Sequence, residues 1–154
     1  MGVTNSNKVI NVDRIDCDGT LRVTLALTAT PDILTNPTDI VLILDRSGSM
    51  SGTPLASMKA GAKQFIDIIA EATGGAPSGQ IGSGSRIGIV SFAENATANT
   101  LLITSVSDLK AAVDSLTAGG NTNHAAAFST ATQLFDPASS NAKVMVMFTD
   151  GNTT

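Results

Sequence analysis

Tryptophan and tyrosine are absent from this sequence, and phenylalanine occurs only five times in 154 residues. Stacking of rings on bases or sugars is therefore not a mode of recognition the chain is equipped for. Cys17 is the single cysteine, so no intrachain disulfide can form and no CxxC pair exists for zinc or redox work. That leaves the redox compartment open. Charge is sparse: charged residues make up 14% of the chain, the net charge is −4, and like charges never form a run. An acidic surface of this kind argues against nucleic acid or an anionic membrane as partner. No apolar run is long enough to insert directly into a membrane, and the N-terminus has no apolar leader core. Met1-Gly2 reads either as the start left by a removed leader or as the native start of a soluble chain.

What is present is organised around one stretch, Ile40-Val41-Leu42-Ile43-Leu44-Asp45-Arg46-Ser47-Gly48-Ser49-Met50. Five unbroken apolar residues, rich in β-branching, predict a strand buried on both faces of a parallel sheet. The run ends in three oxygen-bearing side chains at alternate positions, Asp45, Ser47 and Ser49. Gly48 lets the backbone fold closely enough for all three to face one centre. Carboxylate and hydroxyl oxygens suit Mg²⁺ or Mn²⁺ rather than zinc or copper. The same pentapeptide also fits a strand end whose Asp and Ser cap the next turn, so the rest of the chain has to decide.

The length suits one domain with a sizeable core. Residues 8–28 have the pattern of a β-hairpin. Val9, Ile10 and Val12 lead into Asp16-Cys17-Asp18-Gly19, after which Leu21, Val23, Leu25 and Leu27 alternate with Thr20, Arg22, Thr24 and Ala26. An EF-hand reading of that turn fails, because its first and twelfth ligand positions would be Arg14 and Leu25. Residues 31–38 form a linker with two prolines. Gly52-Thr53-Pro54 signals a helix start, with Thr53 as cap and Pro54 in the first turn, and Leu55, Met58, Ala62, Phe65, Ile69 and Ala72 fall on one helical face. Residues 73–85, rich in Gly, Ser and Pro, contain no phosphate-binding motif and predict a flexible crossover loop. Residues 86–92 are a second strand, and residues 100–104 a third, antiparallel to it because the connection is short. Ser107 is placed to cap a helix carrying Leu109, Ala112, Val113 and Leu116. Gly119-Gly120-Asn121-Thr122-Asn123-His124 precedes a helix over about 125–135, with Phe128, Ala131, Leu134 and Phe135 expected on its buried side. The run Val144-Met145-Val146-Met147-Phe148 ends in Thr149-Asp150-Gly151.

Strands alternating with helices predict an α/β class with a doubly wound, mostly parallel sheet and flanking helices. In such sheets ligands sit beyond the carboxyl ends of the strands, where strand order reverses. If the strands ending at Asp45 and at Asp150 are neighbours there, Asp45, Ser47, Ser49, Thr122 and Asp150 bring hard oxygen donors from three segments to one crevice.

This set resembles the metal-ion-dependent adhesion site of the von Willebrand factor type A family, the integrin I-domain fold. The matches are Asp45, Ser47 and Ser49 in Asp-x-Ser-x-Ser, Thr122 in a glycine-rich loop before a helix, and Asp150 in Thr-Asp-Gly after an apolar strand, in the family's order. The resemblance implies that Ser47, Ser49 and sometimes Thr122 bind Mg²⁺ directly, with Asp45 and Asp150 often acting through water. Neutral hydroxyl ligands leave the ion under-compensated, and an open position on it attracts an exposed Glu or Asp of a partner protein. It also implies domain boundaries: residues 1–37 as an N-terminal hairpin segment and linker, residues 38–154 as the family domain. The family domain normally continues beyond Thr-Asp-Gly through further strands and helices, so its C-terminal part is missing here. The expectation is a fragment of a longer chain, a complementary second polypeptide, or self-association along the edge of the Val144 to Phe148 strand. The hairpin resembles β-sandwich segments that flank such domains in Gram-positive surface and pilus-tip adhesins.

Two rival readings remain beside a metal-dependent adhesion module on the bacterial cell surface. One is an intracellular assembly subunit of the kind that accompanies ring ATPases or chelatases. The alternating hairpin, the Asn-rich loops and the abundance of Ala, Thr, Ser and Gly favour the surface protein. The other is a haloacid-dehalogenase-type phosphatase, which needs a second carboxylate two residues after its aspartate. Ser47 stands at that position, so no enzyme is expected. His124, the only histidine, cannot build a zinc site. It belongs to the helix start or to the rim beside Thr122.

Overall fold

The computed structural model describes residues 36–151. The expected hairpin at 8–28, with Cys17, lies outside them, as does most of the linker. Among the described residues four strands form one mixed sheet: β1 (Thr38–Asp45), β2 (Arg86–Phe92), β3 (Ala96–Ala98) and β4 (Ala142–Phe148). Their spatial order is β3-β2-β1-β4. Strand β1 pairs in parallel with both β2 and β4, while β3 runs antiparallel to β2. Three helices cover the sheet: α1 (Thr53–Ala72), α2 (Val106–Asp114) and α3 (His124–Leu134).

Every residue of β1 is buried, as its unbroken apolar run requires. Alternate side chains go to opposite faces. Ile40, Leu42 and Leu44 join Ile87, Ile89, Val146 and Phe148 under α1 and α2, against Met58, Phe65, Ile66, Leu109 and Val113. Val41 and Ile43 join Val90 and Phe92 under α3, against Ala127 and Ala131. Each fully buried aliphatic side chain contributes about 1.5–3 kcal/mol relative to exposure. Phe65 of α1 meets Phe148 of β4 edge-on, with ring centroids 6.4 Å apart. Ion pairs Lys63–Asp114 and Lys110–Asp67 join α1 to α2 on the outside.

Several local expectations need correction. The third strand is Ala96–Ala98, not residues 100–104. Val90 pairs with Ala98 and Ile87 bridges Ile103, so four residues lie opposite two and the chain must bulge. The Thr100 hydroxyl accepts the Ile89 N–H within the bulge, and Leu101 is pushed into solvent. Helix α2 is capped by Ser105, whose hydroxyl accepts the Asp108 N–H, rather than by Ser107. Thr53 is the first helical residue of α1 and Gly52 its cap. Phe128 is exposed, because the two alanines at 127 and 131 turn the contact stripe of α3 away from it.

The Gly-rich stretch 73–85 is not a loose crossover. Gly74, with φ of +75°, and Gly75 close α1 in a Schellman motif: the Gly74 N–H reaches the Glu71 carbonyl and the Gly75 N–H the Ala70 carbonyl. Buried Thr73 then anchors the loop. Its hydroxyl accepts the Gly82 N–H, and its carbonyl accepts the Ser83 hydroxyl. A Cβ on Gly75 would lie 1.9 Å from the Gln80 carbonyl oxygen.

At the amino end of the parallel strands, Asp39 is fully buried. Arg86 binds it through Nε at 2.9 Å and Nη2 at 2.7 Å, Asn141 Nδ2 donates at 2.9 Å and Ser139 Oγ at 3.3 Å. Burial pushes the carboxyl pKa up, but the hydrogen bonds from Arg86, Asn141 and Ser139 and the Arg86 charge together hold it below the ordinary aspartate value. The same hydrogen bond, opposed by burial, raises Arg86. This cluster ties β1, β2 and the approach to β4 at the end of the sheet away from the oxygen-rich loops.

Candidate metal centre

Strand β1 ends between β2 and β4, and the chain reverses direction there to pass to either side. Asp45, its last residue, is fully buried and Ser47 nearly so, while Ser49 is exposed. The three alternate positions thus run from floor to rim. The Ser47 N–H donates to Asp45 Oδ1 at 2.9 Å. Ser47 Oγ and Ser49 Oγ are 3.1 Å apart. Two cis ligands of an octahedral ion at 2.0–2.1 Å are separated by about 2.9 Å, so the two serine oxygens already have the spacing of one octahedral edge.

The loop carrying Thr122 is stitched to this turn by backbone. The Gly48 N–H donates to the Gly120 carbonyl, the Gly119 N–H to the Arg46 carbonyl, and the Asn123 N–H to the Ala93 carbonyl, each at 2.8 Å. Gly120 has φ of +85°, a conformation that glycine adopts without strain. A Cβ at Gly48 would lie 3.4 Å from the Gly120 oxygen, in van der Waals contact with the facing loop. Asn123 caps α3 by accepting the Ala126 N–H, and the His124 ring packs on Phe92 at 5.3 Å between centroids. Thr122 Oγ1 is buried and has no hydrogen-bond partner among the described residues.

The turn after β4 comes in from the other side. Thr149 Oγ1 donates to Asp45 Oδ2 at 2.7 Å and accepts the Gly151 N–H at 3.1 Å. Asp150, between them, is half-buried. Ser47 thus touches both Asp45 and Ser49, the loop carrying Thr122 is hydrogen-bonded to their turn, and the turn carrying Asp150 is tied to Asp45 through Thr149. Thr149 was not singled out from the sequence, although a hydroxyl just before an aspartate in a strand-ending turn was its signal.

The donors fit a hard divalent cation. Among the described residues no cationic side chain forms an ion pair with Asp45. A buried carboxylate without a counter-charge is costly, and a buried hydroxyl without a partner adds to that cost. Among the same residues no three His, Cys, Asp or Glu side chains gather to hold an ion by themselves. Hydroxyls must supply the remaining oxygens, which suits Mg²⁺ or Mn²⁺ with retained waters. No helix among the described residues is long and apolar enough to cross a membrane.

A family model for the von Willebrand factor type A domain matches residues 40–152. None of the curated proteins compared with the chain matches it. Among solved structures, the three N-terminal domains of the type V pili tip protein Mfa5 from Porphyromonas gingivalis superpose with a TM-score of 0.68 at 24% identity, over 77% of this chain and 20% of that one. The pilus adhesin SpaC from Lactobacillus rhamnosus GG gives 0.62 at 23%, over 78% of this chain and 16% of that one. Proximal thread matrix protein 1 from the mussel byssus, solved with zinc in its MIDAS motif, gives 0.60 at 24%, over 78% and 30% respectively. These likenesses show the fold, and the chain spans less than a third of the length of each of these three.

Proposed function

The chain belongs to the von Willebrand factor type A domain family, and from that premise we propose that it is a metal-dependent protein-binding module of a bacterial surface or pilus adhesin. Asp45, Ser47, Ser49, Thr122 and Asp150 hold Mg²⁺ or Mn²⁺. The observation that carries this reading is the buried, partnerless hydroxyl of Thr122, in a loop stitched by backbone to the Asp45–Ser49 turn. A bound ion supplies a positive centre with a position open to an acidic side chain of a partner protein. Ser47, Ser49 and Thr122 offer neutral oxygens that leave its charge under-compensated. Asp45, held by the Ser47 N–H and the Thr149 hydroxyl, supplies a fixed negative charge at the floor and acts on the ion through water. Recognition of this kind needs no nucleophile or general base. Two pilus proteins among the fold neighbours support placement at the cell surface.

Calorimetric titration with Mn²⁺ tests the site: wild type binds, and Asp45→Ala loses binding by at least tenfold. Equal binding by the two proteins would refute the assignment. Capture of acidic-residue-bearing surface proteins should occur in Mg²⁺ and vanish in excess EDTA. Capture that persists in EDTA would place the contact elsewhere on the domain.

A further inference from the structure

We infer that Thr149 is a positioning residue for the cation site, acting through Asp45; the inference rests on the cation reading above. Asp45 is fully buried and has two carboxylate oxygens to satisfy. One accepts the Ser47 N–H at 2.9 Å and the other the Thr149 hydroxyl at 2.7 Å. The Thr149 hydroxyl has a single proton. Its oxygen also accepts the Gly151 N–H at 3.1 Å. An amide N–H can only donate and a carboxylate oxygen can only accept, so the polarity of the chain is Gly151 N–H to Thr149 Oγ, then Thr149 O–H to Asp45 Oδ2. Donors in series strengthen one another in a buried setting.

This relay does two things for the site. It spans 104 positions of sequence and ties the Asp150 turn to the end of β1, so that both carboxylate-bearing loops share one anchor. It also decides what Asp45 does with its second oxygen. Without the Thr149 hydroxyl, Oδ2 would be a buried anion short of a donor. The hydroxyls nearest in sequence that could satisfy it are those of Ser47 and Ser49, which lie 3.1 Å from each other. A carboxylate that rotates to take their protons changes where their lone pairs point. Outer-shell partners of this type orient the ligands themselves, and their loss costs metal affinity by about 10–100-fold.

The test uses Mn²⁺ as probe, with the free aqueous ion followed by electron paramagnetic resonance, on wild type, Thr149→Val, Thr149→Ser and Asp45→Ala. Valine keeps the shape and removes the hydroxyl; serine keeps the hydroxyl. The expected result is Mn²⁺ binding weakened about tenfold or more in Thr149→Val, restored in Thr149→Ser, and lost in Asp45→Ala, with the metal-free far-ultraviolet circular dichroism of the two Thr149 variants unchanged. Equal affinity in Thr149→Val and wild type would overturn the positioning role while leaving the cation site intact. Weak binding by Thr149→Ser would also overturn it, since the hydroxyl alone is claimed to act. Failure of wild type to bind Mn²⁺ would overturn the cation reading and this inference with it.

Discussion

Replacing Asp39 with alanine removes the hub of the polar cluster at the amino end of the sheet. The wild-type carboxylate is fully buried and takes two hydrogen bonds from Arg86, one from Asn141 and one from Ser139. Alanine leaves the Arg86 guanidinium, whose side chain is 34% exposed, without its partner and leaves the Asn141 amide only its bond to the Gly84 carbonyl. Breaking a buried pair from one side costs about 3–5 kcal/mol. Partial exposure of Arg86 lets water recover some of that, so the lower end, about 3 kcal/mol, is expected. For a domain of this size that lowers the melting temperature by about 10 °C. The pH dependence gives an independent check. The folded-state pKa of Asp39 lies below the ordinary aspartate value of about 3.9. Between the two values the unfolded chain binds more protons, so stability rises with pH. The contribution is fully present above about pH 4 and is lost as the pH falls through the folded value. Thermal melts of wild type and Asp39→Ala should therefore differ most at neutral pH, and the gap should narrow as the pH falls below about 4. A deficit below about 1 kcal/mol at pH 7, or one that does not begin to narrow below about pH 4, would refute this account.

Gly75→Ala is expected to cost about 1–3 kcal/mol or more, seen as a lower urea midpoint, because its Cβ would meet the Gln80 carbonyl oxygen at 1.9 Å. Gly79→Ala in the same loop is the control, since the nearest atom there is 3.7 Å away. Ser105→Ala should lose about 0.5–1 kcal/mol of stability, the low end for an N-cap, because its bond to the Asp108 N–H is 3.4 Å long. Ser107→Ala should change the melting temperature little, and a larger effect at 107 than at 105 would reverse the cap assignment.

Local pattern alone was enough for the elements whose physics is local. Five unbroken apolar residues identify β1, three- and four-residue steps identify α1, and oxygen-bearing side chains at the ends of two apolar runs mark out Asp45, Ser47, Ser49 and Asp150 before any contact is known. Thr122 is nominated for the same reason, since a glycine-rich loop ahead of a helix is a local signal. What the sequence could not say is how strands register against one another, because pairing depends on partners distant in the chain. Asp39 and Arg86 face each other only because β1 and β2 align residue 39 with residue 86, and Asn141 arrives across 102 positions. The Thr149–Asp45 bond exists only because β4 lies beside β1. Phe128 looked like core by spacing, yet the sheet chose Ala127 and Ala131, since small residues let α3 approach closely. The bulge opposite Gly88 and the closure of residues 73–85 were likewise settled by neighbours. A Gly-rich stretch reads as loose until Thr73 and Gln80 are placed against it.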